Sequence, residues 1–336
     1  MPSDRTFVTE LATGLGMLGS EDPATTIARR PAALVNLTEG DWERLAELWR
    51  LGCYASEFVA GLRNGRAFLT AAGVLNGRRP RIIEWTGDRR PPGDEVVPSD
   101  LRVDHVYLIS CKYLSRILHN PSPARLVEGL LSQGPVDDRR DWYQRVAPVE
   151  LQELYQACIP FVEGMPLPAL VSDLARIQRR HLAHALRGGW PADAIRAYAR
   201  LCRVVSEATA KSWRAHISVG NVEAMVWRLL RIGSAPYFIL GSSPHGSMRL
   251  RIDTPWDWRQ AYRLRSFDVA PQEGGQPRVR WAAVYEMRET AQERTVHGHV
   301  EIRWSHGRFG QPPEAKVYLD SAHQDVPGYH SFCGDD

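Results

Sequence analysis

Lysine is nearly missing from this chain. Of 42 basic side chains only Lys112, Lys211 and Lys316 are lysines, and the rest are arginines. A coding bias toward arginine explains the total. An ammonium, however, is a compact charge whose pKa moves on burial, whereas guanidinium is planar and permanently charged. Two of the surviving lysines lie in Ser110-x-Lys112 and Glu314-x-Lys316. Cysteine is sparse as well: five residues, odd in number, widely spaced and without C-x-x-C. That excludes a disulfide framework or a zinc ribbon and points to a reducing cytoplasm. No apolar run approaches the ~18 residues of a membrane span. Glu10 and the glycines at 14, 16 and 19 break the N-terminal stretch, so no signal peptide is expected. G-x-S-x-G, H-E-x-x-H and a phosphate-binding glycine loop in strand–helix context are all lacking. The net charge of +3 does not demand a polyanionic partner, yet basic residues can cluster without moving the total.

What is there reads as an α+β protein. Apolar residues make up 43% of the chain, enough for a packed core. Residues 1–35 carry a weak helical pattern. Trp42, Leu45, Leu48 and Trp49 share one face of a helix that starts at Thr38-Glu39-Gly40-Asp41. A second helix over 54–69 would bury Phe58, Val59, Leu62 and Phe68. The period then falls to two around Arg81–Trp85, Leu101–Val103 and Tyr107–Cys111. Residues 139–232 read as helical almost throughout. From 235 onward strands alternate with turns at Gly241, Gly274-Gly275, Gly307 and Pro312-Pro313. The expected divisions are residues 1–130 (helices and a small α/β core), 131–232 (helical), 233–326 (β-rich) and 327–336 (a loose tail).

The stretch from Pro98 to Glu128 gathers the residues that carry chemistry. Asp100 and Asp104 precede an apolar strand that ends in Ser110-Cys111-Lys112, and Glu128 follows on a helix. As one continuous strand, Asp100 and Lys112 would lie about 40 Å apart, so the segment must fold back. A turn at His105–Tyr107 would pair Asp104 with Leu108, Arg102 with Ser110 and Asp100 with Lys112. Asp100, Asp104, Ser110 and Lys112 then share one face, and Leu101, Val103 and Ile109 the other. Acids around a single ammonium suit a divalent ion, which wants carboxylate oxygens and activates water against a phosphodiester. Asp94 is a reserve acid.

These residues resemble the PD-(D/E)xK nuclease superfamily, with Pro98-Ser99-Asp100 for its first acid and Ser110-Cys111-Lys112 where it has acid-x-Lys. Serine in place of the acid is similar to a branch of restriction endonucleases whose second carboxylate comes from the following helix, a place Glu128 would fill. The helix with Glu57 and the strand with Glu84 are similar to the family's helix-then-strand opening. The resemblance implies a small α/β restriction-endonuclease-like core and a Mg²⁺-dependent endonuclease acting on DNA, of restriction or phage-defence type. It implies that Asp100, Asp104 and Glu128 hold the metal and that Lys112 positions water.

Other groupings stand beside this one. His297, His299 and Glu301 lie on one strand face with His306 nearby. Glu314-Ala315-Lys316 is a literal acid-x-Lys with Glu301 as a partner, and the wet face of an antiparallel sheet gives the same pattern. His181 and His184 share a helix face. Arg249, Arg251, Arg263, Arg265, Arg278 and Arg280 alternate along strands near Trp256, Trp258 and Trp281. That suits nucleic-acid backbone contact and stacking, with Arg249, Arg251, Arg278 and Arg280 as the binding candidates. A non-catalytic nucleic-acid-binding or interaction subunit of a larger complex, or a homo-oligomer, is the alternative organisation.

Overall fold

The computed structural model describes residues 3–20, 22–87, 99–113, 117–129, 141–218, 220–233, 235–243 and 246–334. In chain order its strands are β1 (Leu34–Val35), β2 (Ile83–Trp85), β3 (Leu101–Val103), β4 (Tyr107–Tyr113), β5 (Ile117–His119) and β6 (Tyr237–Ser243), then β7 (Gly246–Ile252), β8 (Tyr262–Gln272), β9 (Arg278–Met287), β10 (Glu293–Arg303), β11 (Glu314–Leu319) and β12 (Tyr329–Ser331). With the helices they make a mixed α+β protein. No helix among the described residues is long and apolar enough to cross a membrane.

The chain forms two units, Met1–Ser115 with Arg231–Ala261 and His323–Asp336, and Arg116–Leu230 with Tyr262–Ala322. The boundaries differ from those expected. Residues 231–261 return to the first unit, so β6 and β7 extend the sheet begun by β1–β4 instead of founding a separate β-rich region. The tail expected to be loose contributes β12, which pairs with β7.

In the first unit the sheet order is β1-β2-β3-β4-β6-β7-β12. β4 and β6 run parallel, which requires a long crossover, and residues 116–230 of the second unit occupy that connection. One face of the sheet packs on helices α1 (Asp4–Met17) and α4 (Ala55–Thr70), with α2 (Pro23–Arg29) and α3 (Glu39–Leu51) alongside. Every residue of α1 from Phe7 to Met17 is buried. Two helices can cover each other this closely only where side chains vanish. A Cβ on Gly65 would lie 2.1 Å from the Thr13 carbonyl oxygen, and one on Gly16 2.3 Å from that of Leu62. Thr38 and Asp41 form a reciprocal cap at the start of α3, and Gly52 ends it at φ 70°. Trp42, Leu45 and Leu48 are buried as their spacing predicts, but Val59 of α4 is 47% exposed and leaves the expected core face.

The second unit has the antiparallel sheet β5-β11-β10-β9-β8 and the long helix Ala192–Ile217. Arg214 donates to the Val269 carbonyl at 2.8 Å, and the Ser206 hydroxyl accepts the Arg278 backbone N–H at 2.8 Å, fixing helix to sheet. Val279, Trp281, Val296, Val300, Ile302 and Val317 line the buried face. The helical content of residues 167–186 is smaller than their pattern suggests: the helix there is Arg176–Ala185.

Candidate active site

The chain between Asp100 and Lys112 does fold back. The register is Leu101↔Ile109, Arg102↔Leu108 and Val103↔Tyr107, so Asp100 stands beside Ser110, one pleat short of Lys112. The turn needs no glycine because Asp104 and His105 take φ of 50° and 59°, and Asp and His are among the residues that enter the left-handed region most readily. The alternation of faces survives the shift, because moving both strands by one residue together preserves parity. Asp100, Ser110 and Lys112 share one side of the sheet, and Leu101, Val103, Ile109 and Cys111 turn to the core under α1.

Asp100 ends the β3–β4 ladder. Its Oδ2 accepts the Cys111 backbone N–H at 2.6 Å and the Ser110 hydroxyl at 3.2 Å. Its Oδ1 has no partner among the described residues. Lys112 is part-buried and its Nζ likewise has no hydrogen-bond partner among them. Burial, then the charge of Arg231, hold the Lys112 ammonium below the usual lysine pKa, against the pull of Asp100, Cys111 and Glu10. Gly241 lies opposite Lys112 across the parallel pair, where a Cβ would come 2.3 Å from the Lys112 carbonyl oxygen and 2.9 Å from its Cβ.

Two proposed metal ligands are engaged by other groups. Asp104 sits in the turn, and its Oδ1 accepts the backbone N–H groups of Arg81 and Ile82 at 2.7 and 3.1 Å. Its carboxylate shapes the hairpin. Glu128 belongs to the second unit, where Arg145 grips both its oxygens at 2.5 and 3.0 Å. It is a neutralised ion pair and not the open carboxylate that the resemblance implies. Asp94 lies outside the described residues. Glu84 pairs with His105 at 2.9 Å, and Glu57 with Arg5 at 2.9 Å.

A carboxylate not singled out in the sequence lies beneath the same strand, on its core side. Glu10 of α1 is 5% exposed and accepts the Trp85 indole N–H at 2.7 Å. Its charge acts on both Cys111 and Lys112. The signal was present as a lone acid in the apolar run Phe7–Met17. Cys111 itself is no nucleophile: burial first, then Asp100 and Glu10, push its thiol well up.

The oxygens of Asp100, Glu10 and Ser110 are hard donors suited to Mg²⁺. No group of three His, Cys, Asp or Glu able to hold a metal occurs among the described residues. Mg²⁺ commonly keeps several waters and binds through one or two carboxylates plus substrate phosphate. Of the three donors, Asp100 and Ser110 stand on the Lys112 face, whereas Glu10 lies on the core side under α1, bonded to Trp85.

The other acid-x-Lys is built differently. Glu301 stands opposite Lys316, and Arg303 opposite Glu314, across β10 and β11. Burial pushes the Glu314 carboxyl up, but hydrogen bonds from Lys316 and Ser305 and the Lys316 charge bring it below the usual range. Lys316 reaches it at 2.7 Å and His306 at 3.6 Å. Glu301 holds Arg278 at 2.5 Å and Arg303 at 3.5 Å. His299 stacks on Tyr318 and pairs with Asp320 at 2.8 Å. Each acid here already has its cation. His181 donates its Nε2–H to the Glu163 carbonyl oxygen, 2.7 Å away, so its ring serves a loop.

The arginines divide between the two sheets. Arg249 and Arg251 are on β7 in the first unit, and Arg278 and Arg280 on β9 in the second. Arg249 donates to Asn64 at 3.1 Å. Arg280 is exposed and lines a cleft of about 340 Å³ with Asp268, His297 and Asp320. Trp258 and Trp281 are buried core residues, and only Trp256 of the three is exposed. Comparison with family models, with curated proteins and with solved structures gives no match.

Proposed function

We propose that the chain is a Mg²⁺-dependent endonuclease that hydrolyses DNA phosphodiester bonds, a cytoplasmic protein of restriction or phage-defence type. One observation carries the reading: Asp100 and the unpaired Lys112 share a sheet face beside Ser110, with buried Glu10 acting on the same lysine. A bound Mg²⁺ supplies a lowered pKa for the attacking water and a counter-charge for the phosphoryl oxygens. Asp100 would hold that ion, together with waters and the substrate phosphate. Lys112 meets the charge that develops on the phosphoryl group, and its lack of a carboxylate partner leaves it available to do so. Ser110 and the Cys111 N–H fix the Asp100 carboxylate in one orientation.

The test is cleavage of plasmid DNA with Mg²⁺ and with EDTA, by wild type and by Asp100→Ala and Lys112→Ala. The reading expects metal-dependent nicking or linearisation that both variants lose. Cleavage by the variants at the wild-type rate removes it. A second reading, a non-catalytic nucleic-acid-binding subunit of a larger complex, is supported by the lack of a three-ligand group among the described residues. It expects salt-dependent DNA binding with no cleavage in either condition.

A further inference from the structure

Arg231 is 3% exposed, and its backbone has φ 58°. A large side chain is uncommon in that left-handed region and persists where its surroundings impose it. The residue opens the segment that returns the chain to the first unit. Its Nη1 donates to the Tyr237 hydroxyl, and its Cζ lies 5.5 Å from the centre of that ring. Its Nε is buried with no hydrogen-bond partner. No carboxylate pairs with it among the described residues.

Tyr237 bonds Ser110, and Ser110 bonds Asp100. Leu108, Ser110 and Lys112 align with Tyr237, Ile239 and Gly241 across the β4–β6 pair, which places Tyr237, Ser110 and Lys112 on one face. The guanidinium therefore belongs to the same polar cluster as the candidate active site. Ser110, Tyr237 and Arg231 form its closed end, and the part-exposed Asp100 and Lys112 its open end.

A guanidinium taken out of water without an anion is costly. Two such cations facing one polar cluster repel each other until an anion arrives. The guanidinium fork matches phosphate oxygens, and an ammonium adds a point charge. We propose that Arg231 and Lys112 together hold one phosphate group of a nucleic-acid backbone, with Tyr237 setting the orientation of the guanidinium. The inference rests on the site acting on nucleic acid, and it adds the cation that anchors the substrate.

The experiment is done in EDTA, so that cleavage plays no part. Wild type is melted with 10 mM sodium phosphate and with sodium chloride at equal ionic strength, and phosphate is expected to raise the melting temperature by about 2 °C or more. Binding of a 20-base-pair duplex is measured for wild type and Arg231→Gln across a salt series. Affinity should fall about tenfold, and the salt slope by about one charge, in the variant. Should Arg231→Gln not fold, Arg231→Lys keeps the charge and loses the fork, and its phosphate-induced shift should be at most half that of wild type. The proposal is overturned if phosphate does not shift wild type, or if the folded variant binds duplex or phosphate as wild type does. Phosphate binding through Arg231 without cleavage in Mg²⁺ would keep the cradle and remove the nuclease. Cleavage that needs Lys112 but is indifferent to Arg231 would do the reverse.

Discussion

Oδ2 of Asp100 accepts the backbone N–H of Cys111 at 2.6 Å, where β3 has ended and β4 runs on. The carboxylate thus takes the place of the strand that is no longer there. Asp100→Asn keeps the shape but weakens a charge-assisted bond. The variant should lose about 1–2 kcal/mol of stability and at least a hundredfold in cleavage. Urea denaturation and plasmid nicking read the two effects separately, and a fall in stability with unchanged cleavage would reduce Asp100 to a structural residue.

Lys112 should cost the fold stability. Its ammonium is held below the ordinary lysine value of 10.5, chiefly by burial and then by Arg231. Between the two pKa values the unfolded chain binds more protons than the folded one, so stability rises with pH through that window. Below it the penalty is present in full. Lys112→Met should therefore be more stable than wild type at pH 7 by about 1 kcal/mol, flatten the rise in stability that wild type shows on the approach to the ordinary lysine value, and abolish cleavage. Denaturant midpoints measured from pH 7 to 10 decide it.

The pair His330–Asp253, 2.9 Å apart, gives the last strand a pH dependence of the opposite sign. A hydrogen bond from Asp253 raises the His330 pKa over the opposing effect of burial. The stabilisation is complete below the ordinary histidine value of 6.5 and is lost as pH rises through the higher folded value. Amide exchange at Tyr329–Ser331, corrected for intrinsic rate, should be faster at pH 8 than at pH 6, and Asp253→Asn should erase the difference.

Gly65→Ala drives a methyl into the Thr13 carbonyl oxygen at 2.1 Å and the Met17 nitrogen at 2.7 Å. Backbone cannot step aside as a side chain can, so a loss of about 3 kcal/mol is expected. Gly188→Ala, where nothing lies within 4 Å, serves as the control in the same thermal melt.

The two acid-x-Lys segments separate by mutation. Glu314→Gln removes one charge from the Lys316 and His306 pairs. It takes a carboxylate from the buried Lys316 ammonium and should lower the melting temperature while leaving plasmid cleavage within about twofold. Loss of cleavage would move the active site to β10–β11.

Much of the fold was legible where a periodic pattern met a single covered face. The face of α3 and the helix at 192–217 followed from spacing alone, and so did the position of β9–β11. α1 was faint because both of its sides are covered, which removes the polar stripe that a period reveals. β8 showed only through the alternation of Arg263 and Arg265; its full extent was hidden by Pro271 and by a register shift between Leu264 and Ser266. Asp100, Ser110 and Lys112 were placed on a common face by parity, which a shift of register did not disturb. Glu128 failed because spacing along a chain says nothing of a guanidinium from another helix. Glu10 and Arg231 are far from Lys112 in sequence, and no local rule joins them to it.

The first sheet draws its last strand from residues 329–331, and the ring of Phe332 lies 6.4 Å from Phe68 and 5.9 Å from Phe238. Phe68 is made early and these neighbours late. At the usual pace of translation, roughly 5–20 residues per second, the helices at the beginning spend on the order of 10–50 s without them. The N-terminal half is thus born before its own lid, and its exposure to chaperones and proteases is set by how fast the ribosome reaches the end.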